Sequence, residues 1–153
     1  MDWRRLFRRD GEAWVRPEPP REVTLRAVAF VRSPVAKPRP HGWANVESTV
    51  VFEPEHARRL EGIERFRHVI VVFYLDVAEG APEKPEQLEL AGGRMAGIFA
   101  TRSQLRPNHL GVSVVELLGR EGLALRVRGL DAIDGTPVLD VKPYLPEYDR
   151  KDG

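Results

Sequence analysis

What most limits the fold of this chain is the brevity of its apolar runs. Segments rich in β-branched and aromatic residues recur along the sequence, and each is stopped by a turn-forming residue before it lengthens. Residues 23–33 (VTLRAVAFVRS) and 46–53 (VESTVVFE) alternate as half-buried strands do. Residues 68–76 (HVIVVFYLD) form a continuous run, the mark of a strand covered on both faces. RMAGIFATRS, GVSVVELLGREG, LALRVRGLD and TPVLDVKPYL follow, read as further strands, with GREG (residues 119–122) as a hairpin turn and DGTP (residues 134–137) as a tight turn. The 13 glycines and 13 prolines are spread along the chain, as many short elements require.

A helical signal is confined to residues 53–66 (EPEHARRLEGIERF), where Pro54 suits a first turn and Leu60, Ile63 and Phe66 share one side. Residues 77–93 read as a long loop. Strands do not alternate with helices, which argues against a doubly wound parallel sheet. The expected fold is mainly β: a single antiparallel β-barrel of about seven strands with one or two short helices, closed so that no edge is exposed. The expected organisation is an N-terminal arm over residues 1–22, a barrel domain over 23–147 and a tail over 148–153. The arm carries RRLFRR, four arginines in a short span, either solvated or touching RNA phosphates.

Length and composition narrow the function. At 153 residues the chain is the size of one domain, and 42% apolar with 31% charged residues fits a soluble globular protein. It has no cysteine, so disulfides, thiolate metal sites and thiol nucleophiles are excluded, and a cytoplasmic setting is expected. The longest apolar run, VIVVFYL, is too short to span a bilayer, and the N-terminus lacks a secretory pattern. The net charge of +1 means that any nucleic-acid surface is a local patch. The four histidines have no metal-ligand spacing, and no metal is expected. No GxSxG elbow, GxGxxG fingerprint or phosphate-binding GxxxxGK[ST] loop occurs, and glycine-rich AGGRMAG precedes a strand rather than a helix, which makes it a hairpin turn or a bulge.

Two regions remain. ATRSQLRPNHLG offers Arg102, Arg106 and Asn108 around Pro107 and Gly111; arginine's planar fork of donors suits carboxylates and phosphates, and proline and glycine aim a turn. GLDAIDGTPVLDVKPYLP adds Asp131, Asp134 and Asp140: Asp134 before Gly135 is a turn-former, Asp140 pairs with a nearby cation, and Asp131 at a strand end is placed to face a pocket.

Together GIFATRSQLRPNHLGVSVVEL and VRGLDAIDGTPVLDVKPYLP resemble the TsaA-like, or TrmO-type, family, whose motifs run G-x-F-A-T-R-S-P-x-R-P-N-P-I-G and then L-D-x-x-D-G-T-P-V-x-D-I-K-P-Y. VAFVRSPV and LEGIERFRHVIVVFYLD resemble its opening strand and its helix with central strand, so the likeness covers roughly residues 24–146. The resemblance implies an S-adenosylmethionine-dependent methyltransferase acting on N6-threonylcarbamoyladenosine next to the tRNA anticodon, built as a homodimeric barrel with the cofactor near the subunit interface. Carried over by motif, Arg39, Pro40, Leu75, Asp76, Arg102, Val112, Arg128, Gly129, Leu130 and Asp131 are implied cofactor contacts, and Arg106 and Asn108 implied substrate contacts. No general base is carried over. The chain departs from the motif at Gln104 and His109, where the family has proline, and at Asp76, where it commonly has histidine; it reads as a short form without the C-terminal domain of longer members. Two alternatives stay open: a non-catalytic barrel binding RNA or a nucleotide, and a methyltransferase acting on a small molecule.

Overall fold

The structure, a computed structural model, describes residues 16–82 and 84–151. The arginine cluster RRLFRR lies outside the described residues. Six strands close into an antiparallel barrel: β1 (Ala29–Arg32), β2 (Glu47–Phe52), β3 (His68–Tyr74), β6 (Leu110–Glu121), β7 (Ala124–Arg128) and β8 (Pro137–Pro143). Around the barrel the order is β1-β2-β7-β6-β3-β8. Two further strands, β4 (Gln87–Glu89) and β5 (Met95–Gly97), form a separate hairpin. The connection expected as a plain loop over residues 77–93 therefore carries β4 and a four-residue helix, α1 (Asp76–Glu79). A second short helix, α2 (Pro146–Asp149), follows β8.

β3 is the central stave, paired with β6 along its whole length and with β8 over most of it. Val69, Val71 and Phe73 point into the barrel and are buried, while the residues between them are half-buried on the outside. That differs from the strand covered on both faces expected from the sequence: a barrel has one interior, and β-branched side chains on its outer wall are shielded only by their neighbours. Val31, Val50, Val115, Leu125, Val127 and Val138 complete the core from the other five strands. In β8 a register shift opposite Val72 and Phe73 places both Leu139 and Asp140 between inward Val138 and core-packed Val141. Asp140 then reaches Lys142 at 2.7 Å on the exterior.

Three boundaries moved. The helix expected over 53–66 is a pair of 3-10 segments, Pro54–Leu60 and Ile63–Arg65, split at Gly62 with φ +86. Neither segment has a side-chain N-cap, and each is too short to hold a helix by itself; the buried Leu60 anchors the pair to the core. The first strand begins at Ala29 rather than Val23, because its neighbours β2 and β8 offer partners from there on. β6 runs on through Gly119 to Glu121, so the turn falls at Gly122 and Leu123, not across GREG.

Gly111 shows how tightly the wall is built. It sits opposite Phe73, and a Cβ placed on it would lie 2.3 Å from the Phe73 ring. Its role is to admit that ring, not to shape a turn. Gly111→Ala is expected to cost about 1–3 kcal/mol by overpacking, lowering Tm by about 3–10 °C in calorimetry. An unchanged Tm would show that the ring has room to move.

On the outer wall, Arg128 is cross-strand neighbour to both Glu47 and Glu116 and bonds each at 2.8 Å, while Arg126 reaches Glu47 at 3.5 Å. The hydrogen bond from Arg128 holds the Glu47 carboxyl below its ordinary 4.5, helped by the charges of Arg128 and Arg126. A carboxylate with a depressed folded pKa stabilises above its unfolded pKa and loses that contribution as pH falls through the folded value. Glu47→Gln should therefore lower the urea midpoint slightly near neutral pH, and the gap to the wild type should close in acid. Because the pair is solvent-exposed, added salt should shrink the difference.

Candidate functional site

The segment between β5 and β6 is held by its own side chains. Ile98–Ala100 forms a 3-10 turn, and the Thr101 hydroxyl donates to the Ile98 carbonyl at 2.8 Å while accepting from the Ser103 N–H at 3.2 Å. The Ser103 hydroxyl in turn accepts from the Leu105 N–H at 3.1 Å. Arg106 folds back and donates from Nη1 to the carbonyls of Thr101 and Ser103, at 3.0 and 3.3 Å. Arg102 reaches across and donates from Nη2 to the Val112 carbonyl on β6. Both arginines of this loop are thus part of its scaffold, with their remaining N–H donors left for a ligand.

Asn108 and His109 are the two non-glycine residues with positive φ among those described, 64° and 49°. Such a pair is strained and persists only when its surroundings hold it. His109 does so: its ring is buried, its Nδ1 lies 3.2 Å from the Gln104 carbonyl, and its own carbonyl accepts the Leu75 N–H at 2.8 Å. The histidine is a loop anchor. Its ring meets Tyr74 edge-on at 6.4 Å. The Tyr74 hydroxyl is hydrogen-bonded to Glu79, which together with desolvation raises its pKa above 10.0 and keeps it protonated.

This loop is one wall of a cleft of about 330 Å³ at one end of the barrel. The opposite wall is the turn that carries Asp131, whose Oδ1 accepts from the Ser113 hydroxyl. Leu75 and Asp76, at the β3-α1 junction, the segment 38–43, Phe73 and Gly111 also line it. In the 38–43 segment Arg39 donates from Nη2 to the Gly42 carbonyl at 2.6 Å. Its guanidinium also lies 4.9 Å from the Trp43 ring centroid, and Trp43 Nε1 donates to the Arg39 carbonyl at 3.1 Å. Cation and indole, both in the cleft lining, therefore brace each other.

Arg39, Pro40, Leu75, Asp76, Arg102, Val112 and Asp131 all line this one cleft, as does Arg106. Four of the expected residues do not. Arg128 is engaged by Glu47 and Glu116 on the outer wall, Leu130 is fully buried in the barrel core, and Gly129 donates its N–H to the Val46 carbonyl at 3.0 Å. Asn108 lines a second, wider groove on the far side of the loop. Trp43 was missed from the sequence; an aromatic ring in the short polar stretch KPRPHGW was the available signal. Ser113 was passed over as a strand residue, and only the fold brings it to Asp131.

Among the described residues no group of three or more His, Cys, Asp or Glu is placed to hold a metal, and no helix is long and apolar enough to cross a membrane.

Residues 30–150 match the tRNA-methyltransferase O N-terminal domain family. A probable S-adenosyl-L-methionine-binding protein of Pyrococcus abyssi is 36% identical over 140 residues, covering 87% of this chain and 74% of that protein. The tRNA (adenine(37)-N6)-methyltransferase of Escherichia coli is 36% identical over 132 residues, covering 78% of this chain and 56% of the enzyme. The crystal structure of TrmO from Pseudomonas aeruginosa superposes with a TM-score of 0.67 at 33% identity, over 84% of this chain and 58% of that one. The chain thus spans little more than half the length of those two methyltransferases. It belongs to the tRNA-methyltransferase O N-terminal domain family.

Proposed function

From that membership we propose that the cleft binds S-adenosylmethionine and that the chain methylates N6 of adenosine in tRNA, with N6-threonylcarbamoyladenosine beside the anticodon as the acceptor. The observation that carries the proposal is that Arg102 and Asp131, from segments far apart in the chain, line a single cleft together with Arg39, Trp43 and Asp76. The names of the relatives support the cofactor and the acceptor class.

The residues present suit the cofactor. A cleft of about 330 Å³ lies within the range of about 300–1,000 Å³ usual for small-molecule sites. Arg102 keeps donors free beyond its bond to Val112, and a guanidinium fork matches an amino-acid carboxylate. Trp43 offers a ring face, and Asp76 and Asp131 offer acceptors for hydroxyl and amino groups. When bound, the cofactor supplies an electrophilic methyl on a sulfonium. The chain's own task is to hold the acceptor nitrogen in line with that methyl and to exclude other geometries. The amine proton needs an acceptor, and Asp76 and Asp131 are the carboxylates lining the cleft. Arg106, whose Nη1 is committed to Thr101 and Ser103, positions the loop and keeps its other donors for a ligand.

The proposal includes a homodimer in the cytoplasm, where tRNA is found. Leu110, Val112 and Val114 alternate along the outside of β6 as an exposed apolar stripe, and Val112 also borders the cleft. A second copy covering that stripe would bring a subunit interface beside the cofactor.

Saturating S-adenosylhomocysteine at about 100 times its Kd should add about 2.7 kcal/mol of stability, seen as a rise in Tm. Trp43 emission should change in step and Trp43→Phe should abolish that change. Arg102→Ala should weaken binding by about tenfold or more, the value of a charge-assisted hydrogen bond. No shift with either cofactor form would leave the barrel a non-catalytic binding module. For the assembly, sedimentation should find the wild type dimeric and Val114→Glu monomeric; identical sedimentation of the two would place the interface elsewhere.

A further inference from the structure

Two opposite charges in the cleft are tied to neighbouring residues of one strand. Arg102 donates to the backbone carbonyl of Val112, and the Asp131 carboxylate accepts from the side chain of Ser113. Val112 and Ser113 are consecutive in β6, so their Cα atoms are about 3.8 Å apart. A guanidinium and a carboxylate anchored so close together would ordinarily pair. These two do not: among the described residues neither Arg102 nor Asp131 takes part in an ion pair. The other guanidiniums in the cleft lining are placed differently. Arg39 is bonded to Gly42 and lies against Trp43, and Arg106 folds back onto the carbonyls of Thr101 and Ser103.

Asp131 is also well fixed. Leu130 before it and Ala132 after it are buried, and the Gly129 N–H is bonded to the Val46 carbonyl. The backbone is therefore held on both sides, and the Ser113 hydroxyl holds Oδ1 of the side chain itself. Arg102 likewise has one nitrogen committed to the fold and further N–H groups to offer.

We propose that this unjoined couple seats the amino-acid end of the cofactor, with the α-carboxylate on Arg102 and the α-ammonium on Asp131, and that Ser113 is the positioning residue that sets the Asp131 carboxylate. The inference rests on the cofactor reading and says which end of the ligand meets these two walls. An α-amino acid carries both of its charges on one carbon. Its receptor needs a cation and an anion that are close together but not bonded to each other, because a preformed pair would have to be broken before the ligand could enter. Charge-assisted hydrogen bonds to the two ends are the strong kind, and anchors already fixed by the fold lose little freedom in making them.

The test uses the full chain and three ligands in calorimetry: S-adenosylhomocysteine, with both charged groups; S-adenosyl-3-thiopropylamine, with the amine alone; and 5′-methylthioadenosine, with neither. Asp131→Asn should weaken the first two by about tenfold or more and leave the third unchanged. Arg102→Ala should weaken only S-adenosylhomocysteine. Ser113→Ala should follow the pattern of Asp131→Asn, and the double variant should bind no more weakly than Asp131→Asn alone, since the hydroxyl acts through the carboxylate. Equal losses for all three ligands, in either the Arg102 or the Asp131 variant, would make that residue a scaffold of the cleft and overturn the inference. So would a wild-type chain that binds 5′-methylthioadenosine as tightly as S-adenosylhomocysteine, which would leave no amino-acid subsite while keeping the cofactor reading. A chain that binds none of the three would remove the cofactor reading and this one with it.

Discussion

The barrel closes at its narrowest seam, and the site depends on that closure. β1 and β8 pair through only two residues each, Ala29 with Val138 and Phe30 with Pro137. The turn leading into β8 extends the seam. The Gly135 N–H donates to Val31, the Val31 N–H to Thr136, the Asp134 N–H to Val35, and the Ser33 N–H to the Asp134 carboxylate at 3.0 Å. The same turn supplies Asp131, Ala132, Ile133 and Thr136 to the cleft. Disturbing the seam would therefore loosen both an edge that a barrel must hide and one wall of the site. Fold and site share hydrogen bonds, so the cleft inherits the stiffness of the sheet.

The other wall reaches the same end by different means. Residues 101–109 have no strand partner, and much of their order comes from side chains: Thr101 and Ser103 hydroxyls accept backbone N–H groups, Arg106 caps carbonyls within the loop, and Arg102 caps the Val112 carbonyl on β6. Arginine performs this task well because one planar group holds several acceptors at once and still has donors in reserve. A loop organised before ligand arrives spends little further ordering on binding. The concentration of cations that draws attention in the sequence is thus explained first by architecture, with ligand contact a second use of the same groups.

Much of the fold was legible because it follows local rules. β-branched runs became strands, Asp134-Gly135 became the tight turn, and the glycine-rich AGG stretch became the β4-β5 hairpin turn. The expected count of about seven strands resolves into six in the barrel and two in a hairpin. What stayed hidden depended on distant neighbours. The helical pattern of residues 53–66 is real, but Gly62 splits it before it can propagate. Arg128 resembles a cofactor contact by motif, yet its cross-strand register sets it between Glu47 and Glu116. Gly111 looks like a turn glycine until Phe73 is seen filling the space a Cβ would take. Leu130 lies in the core and Trp43 on the cleft for the same reason: inward and outward faces are set by closure, which no short window of sequence encodes.

The two spaces flanking the loop differ in the chemistry they invite. The smaller gathers charged groups of both signs around an indole, a setting for a zwitterionic ligand with many polar edges. The larger is mostly apolar with its charges balanced, a setting for a flat ring system. A chain with net charge +1 has little general attraction for a polyanion, so either space would select a ligand by short-range contacts. Arg106 and Leu110 line both spaces, so the loop that carries them shapes the two together, and a change in its scaffold would be felt in each.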